Sequence, residues 1–188
     1  MIMSKMKFSV RELCYMALFT ALIAACAQIS IPLPSGVPIT LQTFAIMLAG
    51  IILGAKKGTI ATLVYVLLAL AGTPVLANFT GGVGVVFGMT GGFILSFPVM
   101  PLIIGLFNKI GEDKSNKLLL PAGIATAVIL NYICGMIYFS IFTSSSLIVA
   151  FTACVLPFIL GDTAKIILAI ALGKSIKLVL NKAGATIY

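Results

Sequence analysis

Eleven of the 12 cations of this chain fall in short clusters at the ends of long apolar runs, and no other feature constrains the fold as strongly. Lys5, Lys7 and Arg11 precede the first run, Lys56 and Lys57 follow the second, Lys109, Lys114 and Lys117 follow the fourth, and Lys174, Lys177 and Lys182 close the sequence. The runs cover roughly 10–29, 39–55, 58–73, 88–109, 118–142 and 157–181. About 20 apolar residues cross the hydrocarbon core of a bilayer as a helix, and inside lipid the backbone must bond to itself. The expectation is an all-α integral membrane protein with six transmembrane helices. Residues 1–188 then form a single membrane domain, because spans of about 20 residues leave only short connections.

Of the 188 residues, 61% are hydrophobic and 9% charged, whereas a soluble domain carries about a quarter charged residues. An ordinary water-soluble enzyme is thereby excluded. The connections at about 30–38, 74–87 and 143–156 contain no Lys or Arg, and eleven of the 12 cations fall on the opposite side of a six-pass layout. By the positive-inside rule both termini are expected in the cytoplasm, so the net charge of +8 reports topology rather than nucleic acid. Basic residues before an apolar run, and Ile23-Ala24-Ala25-Cys26 within it, imitate a secretory or lipoprotein signal. The run from Leu13 to Ile31 is nonetheless long enough to span, and is read as a retained first helix.

Several chemistries fail on composition and spacing. The chain has no histidine, which removes the Ser-His-Asp triad and His-ligated metals. Cys14, Cys26, Cys134 and Cys154 sit in apolar runs without CxxC spacing and read as small packing residues. Gly173-Lys174-Ser175 imitates the tail of a nucleotide-binding loop, but Leu168 stands where its upstream glycine is needed. The glycines from Gly81 to Gly88 lack dinucleotide spacing. Gly161-Asp162 resembles part of the intramembrane aspartyl protease motif, and the second membrane aspartate that chemistry requires is missing. No catalytic residue, metal site or cofactor is expected, and any ATP-driven transport would borrow its motor from other polypeptides.

Two ionisable residues remain once the flanking charges are set aside. Asp162 and Lys165 both lie inside the last apolar run, three residues apart, so on a helix they share a face. Such a group near the bilayer centre costs about 2.5–3.5 kcal/mol on insertion scales and nearly always faces a bundle interior or a wet cavity. A pair that merely bridges helices is the alternative, although apolar residues of similar size often serve stability as well. With the helix starting near Pro157, Asp162 falls in its second turn, level with Gln42 and the uncharged outer connections. One of these, 31–42, carries three prolines, and another, 78–92, carries six glycines. Together they suggest an outward-facing pocket with Asp162 as acceptor and Lys165 as cationic donor. Gln42, Asn78, Thr80 and Thr90 add neutral polar groups, and Phe79, Phe87 and Phe93 add walls. The segment 147–156 reads either as a short separate helix or as part of one long helix kinked at Pro157. Ala17, Ala21 and Ala25 recur at a four-residue spacing on the first helix, a stripe that suits internal packing and partner docking equally.

These residues fall in a pattern that resembles the BioY family, the biotin-binding S components of energy-coupling factor (ECF) vitamin importers. The resemblance covers nearly the whole chain. It rests on Val37-Pro-Ile-Thr-Leu-Gln42, on Gly72-Thr-Pro-Val75 leading into Thr80-Gly81-Gly82, on Gly88-Met-Thr-Gly-Gly-Phe93, and on Pro157-Phe-Ile-Leu-Gly-Asp-Thr-Ala-Lys165. The chain departs from the family's usual residues at Asn78, Phe79, Met89, Phe93 and Leu160. The resemblance implies a high-affinity site for biotin, which is cargo rather than cofactor, formed by Asp162, Lys165, Thr80, Gln42, Asn78, Gly81, Gly82, Phe79, Thr90 and Phe93. It also implies docking of Ala17, Ala21 and Ala25 on a transmembrane coupling subunit served by two ATPase subunits. The expected location is the bacterial cytoplasmic membrane, as a multi-pass protein. A competing reading is a stand-alone secondary transporter of a small carboxylated or polar solute with the pair as a proton or ion relay, for which one membrane carboxylate is sparse.

Overall fold

The computed structural model describes residues 8–182, so Lys5 and Lys7 lie outside the described residues. Helix α1 (Val10–Gln28) begins at a reciprocal cap: the Ser9 amide donates to Glu12 Oε2 at 2.8 Å, and the Glu12 amide donates to Ser9 Oγ at 3.2 Å. The chain then crosses a two-residue antiparallel ladder, β1 (Ser30–Ile31) against β2 (Ile39–Thr40), pairing Ser30 with Thr40 and Ile31 with Ile39. Helix α2 (Gln42–Leu70) follows, then a 3-10 turn over Ala77–Phe79 and the short helices α3 (Val83–Val86) and α4 (Gly91–Ser96). Helices α5 (Val99–Asp113), α6 (Leu119–Thr143), α7 (Leu147–Cys154) and α8 (Phe158–Lys182) complete the bundle.

Helix α2 is the centre of the structure, and it is not straight. Gly54 has φ +74° and ψ −178°, a conformation available to glycine at little steric cost, and the two arms fold back on each other there. Gln42 Nε2 in the first arm donates to Tyr65 Oη in the second at 2.5 Å, and a Cβ on Gly58 would lie 2.9 Å from the Ala49 carbonyl. Residues 45–53 are buried without interruption, which is why this arm carries no polar face: a helix covered on all sides has none to present. Lys56 and Lys57 predict a boundary between separate helices 39–55 and 58–73. The reversal instead occurs at Gly54 with no loop, because backbone freedom decides it rather than charge.

Four helices among the described residues are long and apolar enough to cross a membrane: Val10–Gln28, Gln42–Leu70, Gly91–Asp113 and Leu119–Thr143. The α7–α8 pair, bent by 50°, makes a fifth if taken as one span. The expected helix 88–109 therefore starts at Gly91 and contains a break between α4 and α5. There Asn131 Nδ2 donates to the Phe93 carbonyl at 3.1 Å and to Ser96 Oγ at 2.7 Å, satisfying a carbonyl at the broken helical turn. Segment 147–154 is a helix of its own, set off from α8 by the bend at Pro157.

Ion pairs tie together the end of the bundle that carries the cation clusters. Lys57 meets Glu12 at 2.5 Å, joining α2 to α1, Lys177 pairs with Glu112, joining α8 to α5, and Lys56 lies 5.5 Å from the Phe8 ring centroid. Ala17, Ala21 and Ala25 all lie on the exposed face of α1. Elsewhere the packing depends on close approach. Gly91, Gly92 and Gly135 bring α4 onto α6, so that a Cβ on Gly92 would stand 2.4 Å from the Cys134 carbonyl and from Tyr138 Cβ. Gly92→Ala is expected to cost about 1–3 kcal/mol by overpacking. Gly84→Ala, where a new Cβ meets nothing within 4 Å, should stay within about 0.5 kcal/mol of the parent. Thermal unfolding of the two purified variants in detergent checks the contrast, and equal midpoints would refute it.

Candidate functional site

The first connection, the loop after α2, and helices α2, α4, α6 and α8 surround a cavity of about 420 Å³, within the range of small-molecule sites. Its depth is set by Asp162 and Lys165, which are only 4% and 6% exposed. They occupy successive turns of one face of α8, and Lys165 Nζ lies 2.6 Å from Asp162 Oδ1. Two other helices complete the group. Tyr132 of α6 donates its hydroxyl to Asp162 Oδ2 at 2.5 Å, and Lys165 Nζ donates to Thr43 Oγ1 of α2 at 3.4 Å.

This arrangement leaves capacity for a ligand. A carboxylate offers about four lone-pair sites and an ammonium three protons. One partner on each Asp162 oxygen and two on Lys165 leave an acceptor and a donor side by side. The pair thus neutralises its own charge while presenting complementary polar valences in an otherwise apolar wall of Val37, Phe93, Ile94, Phe97 and Phe158. Buried polar capacity of this kind costs free energy when it stays unmatched.

Of the residues singled out from the sequence, Asp162, Lys165, Gln42, Asn78, Thr80, Thr90 and Phe93 line the cavity. Gln42 is fixed at the base of α2 by Tyr65, whose hydroxyl donates in turn to the Val75 carbonyl at 2.9 Å. Phe93 reaches the cavity across Gly135, where its ring fills the space of a missing side chain. Thr80 Oγ1 donates to the Ala77 carbonyl at 2.8 Å, and Asn78 Oδ1 accepts from Ser30 Oγ at 2.7 Å. Phe79, Phe87, Gly81 and Gly82 are not in the cavity wall. Phe79 is 73% exposed, with φ +55°. Gly81 packs its Cα against the Thr73 carbonyl, and Gly82 donates to the Ala69 carbonyl at 2.7 Å. The place of Phe79, Gly81 and Gly82 is in the loop that carries Asn78 and Thr80.

Four contributing residues are not predicted from the sequence. Asn131 and Tyr132 form the one polar pair in the middle of α6, and that interruption of an apolar helix was the available signal. Gln28, at the end of α1, pins the loop after α2: its Nε2 donates to the Leu76 carbonyl at 3.0 Å and its Oε1 accepts from the Phe79 amide at 2.9 Å. Met89 lies in the wall with its sulfur against Gly36, where a Cβ would come within 2.5 Å of Sδ.

The structure is thus that of an apolar helical bundle of the membrane-protein class, with a solute-sized cavity and a buried charge pair in its wall. The BioY family profile matches residues 3–182, and the chain belongs to the BioY family. It is 36% identical over 167 residues to the "Probable biotin transporter BioY" of Pyrococcus horikoshii, covering 89% of this chain and 96% of that one. The "Biotin transporter BioY" of Thermotoga maritima gives the same 36% identity and the same coverage, 89% and 96%. A crystal structure described as the S-component for biotin from an ECF-type ABC transporter superposes with a TM-score of 0.82 at 32% identity, covering 89% of this chain and 91% of that chain.

If the pair serves ligand recognition rather than cohesion, stability should respond in a characteristic way. Lys165→Met alone strands a buried carboxylate and is expected to cost about 3–5 kcal/mol. The double variant Asp162→Leu/Lys165→Met should unfold within about 1 kcal/mol of the parent, or above it, because apolar replacement of a buried pair is often neutral or stabilising. Denaturation of both in detergent decides, and a double variant as weak as the single one would make the pair a structural brace.

Proposed function

We propose that this chain is the biotin-capturing S component of an ATP-driven ECF-type importer. The observation that carries the reading is the Asp162–Lys165 pair buried in the wall of a ligand-sized cavity, in a member of a family whose relatives are named biotin transporters. Biotin's ureido ring offers two N–H donors and a carbonyl acceptor, its thiophane ring and valeryl chain need apolar walls, and its carboxylate is an anion. Asp162 accepts from a ureido N–H, while Lys165 donates to the ureido oxygen or to the carboxylate. Gln42, Thr80, Asn78 and Thr90 add neutral contacts, Phe93 supplies wall, and Phe79, Gly81 and Gly82 belong to the loop that closes the rim.

Topology follows from the same reading. Counting the two arms of α2 separately gives a six-pass layout with both termini in the cytoplasm, as the cation clusters require, and a cavity facing outward. The cavity opens beside Gly36, Asn78, Thr80 and Phe142, whereas Lys177 lies 15 residues beyond Asp162 along α8, about 22 Å away at 1.5 Å per residue. The membrane is the bacterial cytoplasmic membrane. The exposed stripe of Ala17, Ala21 and Ala25 is the surface for a transmembrane coupling subunit, since small residues four apart let helix backbones approach closely. Two ATPase subunits supply the energy.

Two experiments test this reading. In titrations of the purified chain, biotin should bind with neither thiamine nor riboflavin competing. Asp162→Asn should weaken binding by about 30-fold or more, the usual consequence of truncating one partner of a buried charge pair, while Ser145→Ala stays at parental affinity. Near-normal affinity in both variants would overturn the site. For the partners, biotin uptake by cells carrying this chain should collapse when the coupling and ATPase subunits are removed; full uptake by the chain alone would favour the secondary-transporter reading instead.

A further inference from the structure

Charge is distributed unevenly along the cavity. Among the described residues that line it, Lys165 is the one cation and Asp162 the one anion, and both lie at the buried end. The exposed lining residues are Gly36, Asn78, Thr80 and Phe142, none of them charged. Met89, half-buried, presents a thioether packed on Gly36. Lys165 is held at the buried end by its contacts with Asp162 and Thr43.

An anionic ligand group placed on Lys165 would also lie beside the Asp162 carboxylate, since the two side chains meet at 2.6 Å. Two buried negative charges would then share one cation, an arrangement that like-charge repulsion disfavours. A ureido group carries no such penalty. Its N–H and C=O sit on adjacent atoms and match an acceptor and a donor held side by side. The ligand's chain then leads away from the pair, toward a mouth that offers neutral hydroxyl and amide groups and water.

We infer that this cavity reads the ureido end of its ligand and gives the carboxylate end no charge partner, so that amides and esters of biotin are ligands of the site alongside the free acid. The inference rests on the proposed biotin reading and narrows it by assigning Lys165 to the ureido oxygen. The ligand class becomes ureido-ring compounds bearing an apolar chain, whatever the state of the terminal carboxyl.

The test is a competition series on the unaltered protein with biotin, biotinamide, biotin methyl ester and octanoate, the last carrying a carboxylate and chain without the ring. Biotinamide and the ester should bind within about fivefold of biotin, as expected when only a solvent-facing charge is lost, and octanoate should not displace biotin. Losses of about 100-fold or more for the amide and ester would show a buried charge partner for the carboxylate, and either that result or displacement by octanoate overturns the inference while leaving biotin binding intact. Failure of biotin itself to bind removes the parent reading and this one together. In Lys165→Met, biotin and biotinamide should weaken by the same factor; a loss confined to the free acid would put the carboxylate on Lys165. The ligand series decides even where that variant does not fold.

Discussion

The hydrogen-bonded pair of Asp162 and Lys165 organises the functional half of this molecule. Neither charge could be held at this depth alone, and the 2.6 Å contact between them, with Tyr132 on one side and Thr43 on the other, makes their burial tolerable. Three helices are thereby committed to particular rotations: α8 must turn its pair inward, α6 must present Tyr132, and α2 must present Thr43. The cavity is the space enclosed when those demands are met together.

Close backbone approach supplies the scaffold that lets them be met. Gly105 of α5 sits against the Gly54–Ala55 turn so tightly that a Cβ would fall 2.0 Å from the Ala55 nitrogen, and Gly123 of α6 accepts the Phe107 side chain in the same manner. With lipid as solvent there is little hydrophobic drive between helices, and packing of small residues takes its place. The glycines also explain how short elements reach the site. Helix α4 has six residues, yet Gly91 and Gly92 seat it on α6 firmly enough to hold Phe93 in the cavity wall.

Much of this was legible in the sequence wherever the cost of an error is large. Lipid expels charge, so the cluster at Lys109–Lys117 marked the connection between α5 and α6, and the expense of Asp162 and Lys165 in an apolar run identified them as cavity residues. The expectations for α1, α6 and α8 lie within a residue or two of the observed bounds. Less was legible where cost is small or depends on rotation. A glycine such as Gly54 is one of 18, and nothing local distinguishes the one that reverses the chain. The polar pair Asn131–Tyr132 marks α6 as special, but the direction of Tyr132 is not fixed until the contact of Gly135 with Phe93 sets the phase of α6. The exposure of Phe79 depends on two successive left-handed residues, Asn78 and Phe79, with φ +57° and +55°, a conformation rare outside glycine and absent from any periodicity. Gln28 could not be assigned because its partners lie about fifty positions away.

A site built in this way discriminates chiefly by what it leaves unsatisfied. An apolar molecule of suitable volume would fill the walls of Val37, Phe93 and Phe97, yet it would strand the remaining lone pairs of Asp162 and the last proton of Lys165 away from water. Sites made to hydrogen-bond a substrate reject analogues lacking those groups by far larger factors than an apolar pocket achieves against one extra methylene. On the proposed reading, selectivity resides at the buried end, where solvent cannot substitute for the ligand. Variation at the mouth is cheap for the same reason, since water can meet Asn78 and Thr80 whenever the ligand does not.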